Sequence, residues 1–439
     1  MAADPHKFSA PPKRRRRWWK VLLALILMPL VIIGPMGWAY WRAWVRPAPT
    51  HAAWNGPLTV EQRRQIFDTL WHEVDWRYSY LGIKQINWPA QKARFRPMAE
   101  AASDDESFYK VLQEMLATLK DGHTYLTNYP GMKPLMTTGL NLVMAEGQFV
   151  VAGETMVVPE VKRGDVVVAV DGRPVAEVAA ELRKLTSAST EAQMERHLAQ
   201  RLLWGPQGSK VNVTFLRPNG QTYELGLSRD FQQVRGLTFE KREIEGFGYI
   251  KIAQLGGDVV AQFDKALEDY RNAPGLILDL RGNGGGNDRL AEEMSGRLIQ
   301  QETPWAKIQL RFAPFWSPKI TRTVAPRGEW QYTGPVIMLI DGGIYSSADF
   351  FAGGLARSGR VTAVGSPTGG GSGNPVWLTL PGGAQVAISR WIEYFADGTP
   401  VEGNGTHPDV EVRPTIADIA AGRDPALQKA IELLRGKQP

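Results

Sequence analysis

The sequence lacks cysteine altogether, although it contains 439 residues. Disulfide bonds, thiolate nucleophiles and cysteine-ligated zinc sites are therefore excluded, and the composition is compatible with an oxidising compartment. Other metal patterns are also missing, since the sequence has neither an HExxH motif nor a carboxylate cluster at metal-ligand spacing. We therefore expect no metal ion and no other cofactor.

Phosphate-binding and nucleic-acid-binding patterns are absent as well. The glycine run RGNGGGN at residues 281–287 matches neither the GxxxxGK nor the GxGxxG spacing of nucleotide-binding loops. The net charge of +6 arises from residues 1–20, which contain seven Lys or Arg residues and one Asp. The remaining 44 basic and 44 acidic residues cancel, so we expect no nucleic-acid partner.

Charged residues are also missing from residues 21–41, VLLALILMPLVIIGPMGWAYW, a run long enough to span a bilayer as a helix. Trp and Tyr residues flank both of its ends, as in the aromatic belts of membrane proteins. The basic run KRRRR at 13–17 precedes it, so the positive-inside rule predicts a cytoplasmic N-terminus. These features predict a transmembrane helix at 21–44 in the inner (cell) membrane, crossed once, with the main part of the protein in the periplasm or outside the cell.

A cleaved signal peptide is the strongest alternative to this anchor, because VLLALILMPLVII alone has the length of an h-region. We favour the uncleaved anchor for two reasons. The second aromatic cluster, around Trp41, is hard to explain in a signal peptide, and no small-x-small cleavage site follows at the expected distance.

The rest of the chain divides into a Pro/Ala-rich linker and three regions of different pattern. Apolar residues first recur at helical spacing, and strand-like runs with turns at Asp171-Gly172 and Asn219-Gly220 follow. Strands and helices then alternate. We therefore predict a multi-domain α/β protein with a basic cytoplasmic segment at 1–20, a linker at 45–57, a helical N-terminal domain at 58–136, a β-rich domain at 137–230 and an α/β domain at 236–435.

The segment from Asp341 to Gly373, DGGIYSSADFFAGGLARSGRVTAVGSPTGGGSG, organises the last region. The preceding GPVIMLI predicts a buried strand, and Ser346 to Asp349 has the form of a capping box that begins a helix. A serine at this junction suits a nucleophile, because free backbone N–H groups and the helix dipole would stabilise an oxyanion. The simpler interpretation is that Ser346 only caps the helix, and the local sequence alone favours it.

His123 is the histidine with the most defined setting. It follows an Asp-Gly turn in KDGHTYL, residues 120–126, between a predicted helix and a short predicted strand. The loop therefore holds a fixed imidazole. A lone loop histidine is most often structural, so this pattern by itself assigns no role.

The segment VKRGDVVVAVDGRPV, residues 161–175, resembles the second half of a PDZ domain. That fold binds the C-terminus of a peptide by adding it as a strand to a sheet edge. Gly139 and Leu140, in GLNL, stand where the carboxylate-binding loop of such a domain would lie, so they are candidate substrate-binding residues.

Several segments in one order resemble the tail-specific, or C-terminal processing, serine peptidases of family S41. They are spread over most of residues 58–432, and the resemblance implies a catalytic domain similar to the ClpP/crotonase fold. The segments are KDGHTYL, the PDZ-like segment, LDLRGNGGG at 278–286, IDGGIYSSADFFAGGL at 340–355 and VGSPTGGGSG at 364–373.

By position, the resemblance assigns the nucleophile to Ser346 and the oxyanion-hole N–H groups to Ser347 and Gly285. Ser347 stays open as an alternative nucleophile. The better-known branch of the family uses a lysine base, but Gly371 stands in the place of that lysine. The chain therefore resembles more closely the tricorn-like branch, whose base is a histidine.

The matching positions for that branch are His123 as the base and Glu402 as the group that supports it, with the Thr124 hydroxyl as a candidate link. The resemblance implies a membrane-anchored serine peptidase that hydrolyses unfolded or C-terminally apolar polypeptides. The alternative is a catalytically inactive, membrane-tethered peptide-binding module, because this fold also occurs in retinoid-binding relatives without peptidase activity. The presence of the whole catalytic set favours the enzyme. The sequence does not indicate an oligomeric state.

Overall fold

The computed structural model describes residues 34–45, 51–153, 157–232 and 237–437. Residues 34–45 form a short helix that ends in a π-helical turn, Trp41–Val45. The α-helices that follow are α1 (Val60–Arg77), α2 (Trp88–Glu100), α3 (Asp105–Ala117), α4 (Val175–Lys184), α5 (Glu191–Arg201), α6 (Val259–Asp269), α7 (Asp288–Ser295), α8 (Ser347–Arg357), α9 (Ile416–Ala420) and α10 (Pro425–Arg435). The strands are β1 (Tyr125–Asn128), β2 (Leu135–Met136), β3 (Leu142–Ala145), β4 (Gln148–Val151), β5 (Val166–Val170), β6 (Arg173–Pro174), β7 (Gly205–Pro206), β8 (Lys210–Leu216), β9 (Thr222–Ser228), β10 (Phe239–Ile244), β11 (Phe247–Ile252), β12 (Leu276–Asp279), β13 (Thr303–Phe312), β14 (Phe315–Trp316), β15 (Ile320–Val324), β16 (Val336–Ile340), β17 (Thr362–Gly365), β18 (Val376–Thr379), β19 (Gln385–Ile388), β20 (Trp391–Phe395) and β21 (Val410–Glu411).

Helices α1 to α3 form the predicted helical region. Helix α1 begins at a capping box between Thr59 and Gln62, and α3 begins at Asp104, whose carboxylate accepts a hydrogen bond from the Ser107 N–H. The apolar stripes of these helices are buried together with β18 and β19 in one hydrophobic core. Strand β1, which follows α3, pairs antiparallel with β19. The helical region therefore shares its core with strands from much later in the chain.

The β-rich region is an antiparallel sheet in the order β3-β4-β5-β8-β9. The β5–β6 and β8–β9 connections turn at the two predicted positions, Asp171-Gly172 and Asn219-Gly220. Strand β3 lies at one edge of this sheet, and helix α5 packs along it. Helix α5 begins at Thr190, whose hydroxyl accepts a hydrogen bond from the Gln193 N–H.

The last region contains a six-stranded sheet in the order β10-β11-β12-β16-β17-β21, with β10 antiparallel and the other strands parallel. Helices α6, α7 and α8 cover one face and α10 covers the other, so β12 and β16 are entirely buried. Because parallel strands end at the same edge, the loops after β12, β16 and β17 meet there. These loops carry the glycine run 281–287, Ser346 and the glycine-rich segment 366–373.

A second sheet, β14-β13-β15 with β20 paired to β13, supports helix α8. The Trp305 indole of β13 donates a hydrogen bond to the Phe350 carbonyl at 2.9 Å. Gly354 of α8 faces the same indole, and a Cβ at that position would fall 1.8 Å from a Trp305 ring atom. The close approach fixes the helix that begins beside Ser346.

The predicted transmembrane helix at 21–44 lies largely outside the described residues. Its last part belongs to the short helix 34–45, which packs on the body of the protein: Ala39 and Ala43 are buried against Phe312, and the Trp44 indole donates to the Arg311 carbonyl. Among the described helices, none combines the length and the hydropathy of a membrane span.

Candidate active site

Ser346 lies between β16 and α8, directly before the first helical residue. Its backbone angles, φ 60° and ψ −132°, are rare for a residue other than glycine, so the turn is strained. The Ser346 N–H donates to the Gly371 carbonyl at 2.9 Å. Gly285 packs against the other side, and a Cβ on Gly285 would lie 2.8 Å from the Ser346 Cβ. The two glycine-rich loops therefore hold the serine in its strained conformation.

The predicted capping box at the start of α8 is wrong. The Ser346 side chain makes no capping hydrogen bond. Asp349 instead accepts hydrogen bonds from the Thr368 hydroxyl and, at 3.1 Å, from the Gly371 N–H. The buried Asp349 carboxylate thus ties α8 to segment 366–373, and the Ser346 hydroxyl is left without a partner in the described structure. The interpretation of Ser346 as only a helix cap loses its support.

Ser347 has a different environment from Ser346. Its side chain is buried and its hydroxyl donates to the Gly286 carbonyl at 2.9 Å. Its N–H is the first of helix α8 and has no acceptor among the described residues. Ser347 therefore has the geometry of an oxyanion donor, through its backbone, rather than that of the nucleophile.

The second predicted oxyanion donor, Gly285, is less free. Its N–H donates to the Asn283 side-chain oxygen at 2.9 Å, an arrangement that fixes the glycine run. The neighbouring N–H groups of Gly284 and Gly286 have no acceptor within the described structure. Gly285 has a φ of 95° and packs directly on Ser346 and on the Ser347 N–H. The glycine run therefore lies beside the nucleophile, where an oxyanion hole is needed, even though the Gly285 N–H itself already has an acceptor.

His123 lines the same cavity as Ser346. Its own N–H donates to Asp121 Oδ1 at 2.8 Å, and its ring stacks on the Tyr345 ring, with centroids 4.3 Å apart and an interplanar angle of 22°. Burial lowers the pKa of His123 to about 4, against the opposing effect of Asp121. The imidazole is therefore neutral near pH 7, as a general base must be. No hydrogen bond joins His123 to Ser346 in this conformation of the described residues.

Glu402 is buried beside His123. One ring nitrogen of His123, one carboxylate oxygen of Asp121 and one of Glu402 all lie within 4.8 Å of one another. The Lys84 ammonium contacts Glu402 Oε1 at 2.6 Å, while Glu402 Oε2 and His123 Nδ1 are buried without partners. Burial, followed by the charge of Asp121, raises the pKa of Glu402 to about 8, although Lys84 opposes this. The fold thus brings the predicted supporting carboxylate to the predicted base.

The predicted hydroxyl link, Thr124, does not bridge His123 and Glu402. Its hydroxyl donates to Asp121 Oδ2 at 2.9 Å and accepts from the Ser389 N–H, because the β1–β19 pairing turns it inward. The hydroxyl beside Glu402 belongs to Ser189, which the sequence analysis missed. Ser189 opposes the rise in the pKa of Glu402, and its hydroxyl accepts from the Gly122 N–H at 3.1 Å and contacts the Tyr345 hydroxyl at 3.3 Å.

The cavity that contains Ser346 and His123 has a volume of about 680 Å³. Its wall is formed by the α3–β1 loop, helix α5, the Ser346 turn and the segment before β18. A separate cavity of about 360 Å³ runs beside strand β3 and reaches from Asn141 to Gly343. Gly139 and Leu140, the predicted substrate-binding residues, precede this groove and do not line it.

Comparisons with known proteins bear on this site. The model of peptidase family S41 matches residues 246–412, and that of the tricorn protease C1 domain matches residues 59–117. Tricorn protease homolog 2 of Streptomyces coelicolor is 27% identical over 436 residues, covering 89% of this chain and 35% of that protein. A carboxyl-terminal-processing protease of Synechocystis is 23% identical over 405 residues, covering 86% and 88% of the two chains. The fold of mature CPAF superposes with a TM-score of 0.74 at 15% identity, covering 87% of this chain and 99% of that one.

The chain resembles peptidase family S41 over residues 246–412 and the tricorn protease C1 domain over residues 59–117. Together with the similarity to carboxyl-terminal-processing proteases, this match supports a serine-type peptidase. The S41 match contains both glycine-rich loops, Ser346 and Glu402, and the tricorn C1 match ends just before His123. The chain spans 35% of the length of the Streptomyces coelicolor relative, so what that whole protein does is not transferred to it directly.

The cluster of Asp121, His123 and Glu402 has a spacing that could hold a metal ion. Most of its oxygen atoms already have partners, however: both Asp121 oxygens accept hydrogen bonds, and Glu402 Oε1 contacts Lys84. The Lys84 ammonium would also repel a divalent cation. The donor set fits a supported histidine better than it fits a metal centre.

Proposed function

We propose that this protein is a serine peptidase that hydrolyses peptide bonds of unfolded or C-terminally apolar polypeptides, with Ser346 as nucleophile, His123 as base and Glu402 as its support. The observation that carries the proposal is the strained Ser346, whose unpartnered hydroxyl shares a cavity with a neutral, buried imidazole. A strained turn at a strand-to-helix junction is costly and persists where the conformation itself is needed.

The chemistry follows from the groups around the turn. The Ser346 hydroxyl attacks the scissile carbonyl carbon while its proton passes to His123, which requires the two side chains to approach to hydrogen-bond distance. The oxyanion lies against the Ser347 N–H and the N–H groups of the glycine run. His123 then returns the proton to the leaving amine, and a water molecule, deprotonated by His123, releases the acyl group from Ser346.

Glu402 acts through His123 in this scheme. As His123 takes up the proton, the charged imidazolium forms in a buried environment that disfavours it. The Glu402 carboxyl group, within 4.8 Å and with Ser189 beside it, orients the ring. Its ionised form, which the raised pKa of about 8 makes the minor form at pH 7, offsets that cost. Lys84 holds the carboxylate in place by its 2.6 Å contact.

The groove between strand β3 and helix α5 is the proposed binding place for the polypeptide outside the catalytic cavity. Strand β3 has a free edge, and the groove contains Asn141, Ala192 and Arg196 before it reaches Asp341 and Gly343 near the Ser346 turn. The proposed binding mode is the strand addition used by PDZ domains, in which an extended peptide pairs with a sheet edge. In this proposal the β-rich region delivers an extended chain toward the catalytic loops.

The test is hydrolysis of a mixed peptide pool by the full-length protein, followed by mass spectrometry. The parent should cut peptides, whereas Ser346→Ala and His123→Ala should each lose cleavage by at least about a hundredfold. If cleavage survives in His123→Ala but not in Ser346→Ala, the protein is still a serine peptidase, but His123 is not its base. A folded parent that binds peptides but never cuts them would favour the alternative function, a membrane-tethered peptide-binding module.

The proposed location is the inner membrane, with the catalytic part outside the cytoplasm. It is supported by the uncharged run 21–41 and by the basic residues before it. The chain contains no cysteine, so single-cysteine labelling in intact cells gives a clean test. A membrane-impermeant thiol reagent should label Ala180→Cys, an exposed position on α4, but not Ala10→Cys. Labelling of both positions, or of neither, would contradict this topology.

A further inference from the structure

Among the described residues that line the catalytic cavity, one is a charged residue that the proposed mechanism does not use, Arg201. It is the last residue of helix α5 and lines the same 680 Å³ cavity as Ser346 and His123. Among the described residues, no Asp or Glu lines this cavity. Within that part of the chain Arg201 therefore carries the only formal charge on the cavity wall near neutral pH, since the two histidines there are neutral.

Arg201 is half-buried and has no hydrogen-bond or ion-pair partner for its guanidinium in the described part of the chain. Several other half-buried arginines of this protein form ion pairs, and others donate to backbone carbonyls, because an unpaired charge held away from water costs free energy. The paired examples are Arg281 with Asp279 and Asp424, Arg322 with Asp288 and Glu292, and Arg327 with Asp264. Arg201 is thus a cation whose partner the folded chain does not supply.

His197 lies one helical turn before Arg201 and lines the same cavity. Burial, with the nearby charges of Arg201 and Arg196, lowers the pKa of His197 to about 4. The histidine therefore stays neutral and does not add a second charge. Around these two residues the wall combines apolar side chains, with Leu185, Trp204 and Trp377 among them, and uncharged polar ones such as Ser187 and Gln200. A cavity with apolar side chains and one guanidinium suits an apolar peptide segment that carries one carboxylate.

We propose that Arg201 binds a carboxylate of the substrate polypeptide and so sets the distance between that carboxylate and the bond that Ser346 attacks. The carboxylate is either the C-terminus of the chain or an Asp or Glu side chain. Arginine suits this role because its planar fork donates two parallel hydrogen bonds to a carboxylate and stays charged when partly buried. This inference rests on the proposed peptidase function and adds a specificity residue to it.

The experiment compares kcat/KM of the full-length protein on matched peptides. One pair differs only in a free or an amidated C-terminus, and the other has Glu or Gln at the same internal position near the cut site. A preference for the free acid assigns the C-terminal carboxylate, and a preference for Glu assigns a side-chain carboxylate. Equal rates within both pairs overturn the proposal.

The variants locate the origin of the preference. Arg201→Gln should reduce kcat/KM on the carboxylate form by roughly tenfold to a hundredfold and leave the neutral form nearly unchanged. Arg201→Lys should retain part of the preference, since it keeps the charge but not the fork. The control is Arg183→Gln, an exposed arginine of α4 paired with Glu191, which should not alter the preference. A preference that survives in a folded Arg201→Gln also overturns the proposal.

A binding measurement separates this inference from the peptidase function. Ser346→Ala and the double variant Ser346→Ala/Arg201→Gln are titrated with the same peptides, so cleavage is not required. Tighter binding of the carboxylate form to the first protein, lost in the second, supports Arg201 even if no cleavage is ever seen. Equal binding of both forms, or no binding of either, rejects Arg201 as a carboxylate site whatever the peptidase assay gives.

Discussion

Gly371 lies directly beneath the Tyr345 ring: a Cβ at position 371 would fall 1.9 Å from the Tyr345 Cε2 atom. The same ring stacks on His123, and the Tyr345 hydroxyl contacts Ser189. The Tyr345 ring therefore fills the space that a side chain at position 371 would need, and the same ring packs against His123. This explains in physical terms why a glycine stands where the resembling Ser-Lys peptidases have a lysine.

Substitution of Gly371 should therefore disable the site. In Gly371→Ala the Tyr345 ring has to move, which removes the stacking surface of His123, and we expect kcat to fall by at least about tenfold. The control is Gly359→Ala, whose added Cβ meets no other atom, although its φ of 71° costs some stability. Gly371→Ala with kcat equal to that of Gly359→Ala would mean that the tyrosine does not position the histidine.

The pH profile of kcat/KM should reflect the buried histidine. Imidazole acts as a base only when neutral, and burial lowers the pKa of His123 from its usual 6.5 to about 4. We therefore expect activity to persist as the pH falls through 6.5 and to be lost only near pH 4. A fall in kcat/KM between pH 6 and 7 would contradict this. It would mean that His123 is exposed in the active enzyme, or that the charges around it differ from those in this structure.

Ser189 should act on the chemical step without binding the substrate. Its hydroxyl contacts Glu402, Tyr345 and the Gly122 N–H, so Ser189→Ala weakens the support of His123. We expect kcat to fall by roughly tenfold with KM nearly unchanged, and Ser189→Thr to restore part of it. A rise in KM with constant kcat would instead place Ser189 in substrate binding.

The Lys84–Glu402 pair should couple stability to pH. The folded-state pKa of Glu402, about 8, lies above its usual 4.5, so its contribution to stability is present at low pH and is lost as the pH rises through 8. Lys84→Met removes the cation that opposes this rise. We therefore expect the Tm of Lys84→Met, relative to the parent, to fall further at pH 9 than at pH 6.

The double variant Lys84→Met/Glu402→Gln is the control for that measurement. It has no buried carboxyl to ionise at position 402, so it should recover much of the Tm at pH 9 while remaining inactive. A Tm difference that is the same at both pH values would show that the Lys84 effect comes from packing and not from the charge of Glu402.

Local pattern was sufficient for much of the fold. The run GPVIMLI correctly predicted the buried strand β16, and the Asp171-Gly172 and Asn219-Gly220 turns are both present. The predicted alternation of strands and helices in the last region corresponds to the parallel strands of the six-stranded sheet and the helices that cover it. The capping box failed because Asp349 is drawn to Thr368 and Gly371 by tertiary contacts that no local pattern encodes.

The support of the histidine was less predictable. Glu402 meets Lys84, 318 positions away in the chain, and Ser189 arrives from the turn before α5, so neither could be paired by spacing. One signal was available: a glycine in place of a lysine indicates that another side chain fills that space, and Tyr345 does so. Thr124, next to His123 in sequence, was the wrong hydroxyl because strand β1 turns it toward Asp121 and Ser389.

The most direct measurement is the rate at which a fluorophosphonate probe labels the full-length protein, with the modified residue identified by mass spectrometry. Activation of Ser346 by His123 predicts a label on Ser346 and not on Ser347, and a labelling rate at least about a hundredfold lower in His123→Ala. A label on Ser347, or equal labelling rates in the parent and in His123→Ala, would contradict the pairing of Ser346 with His123.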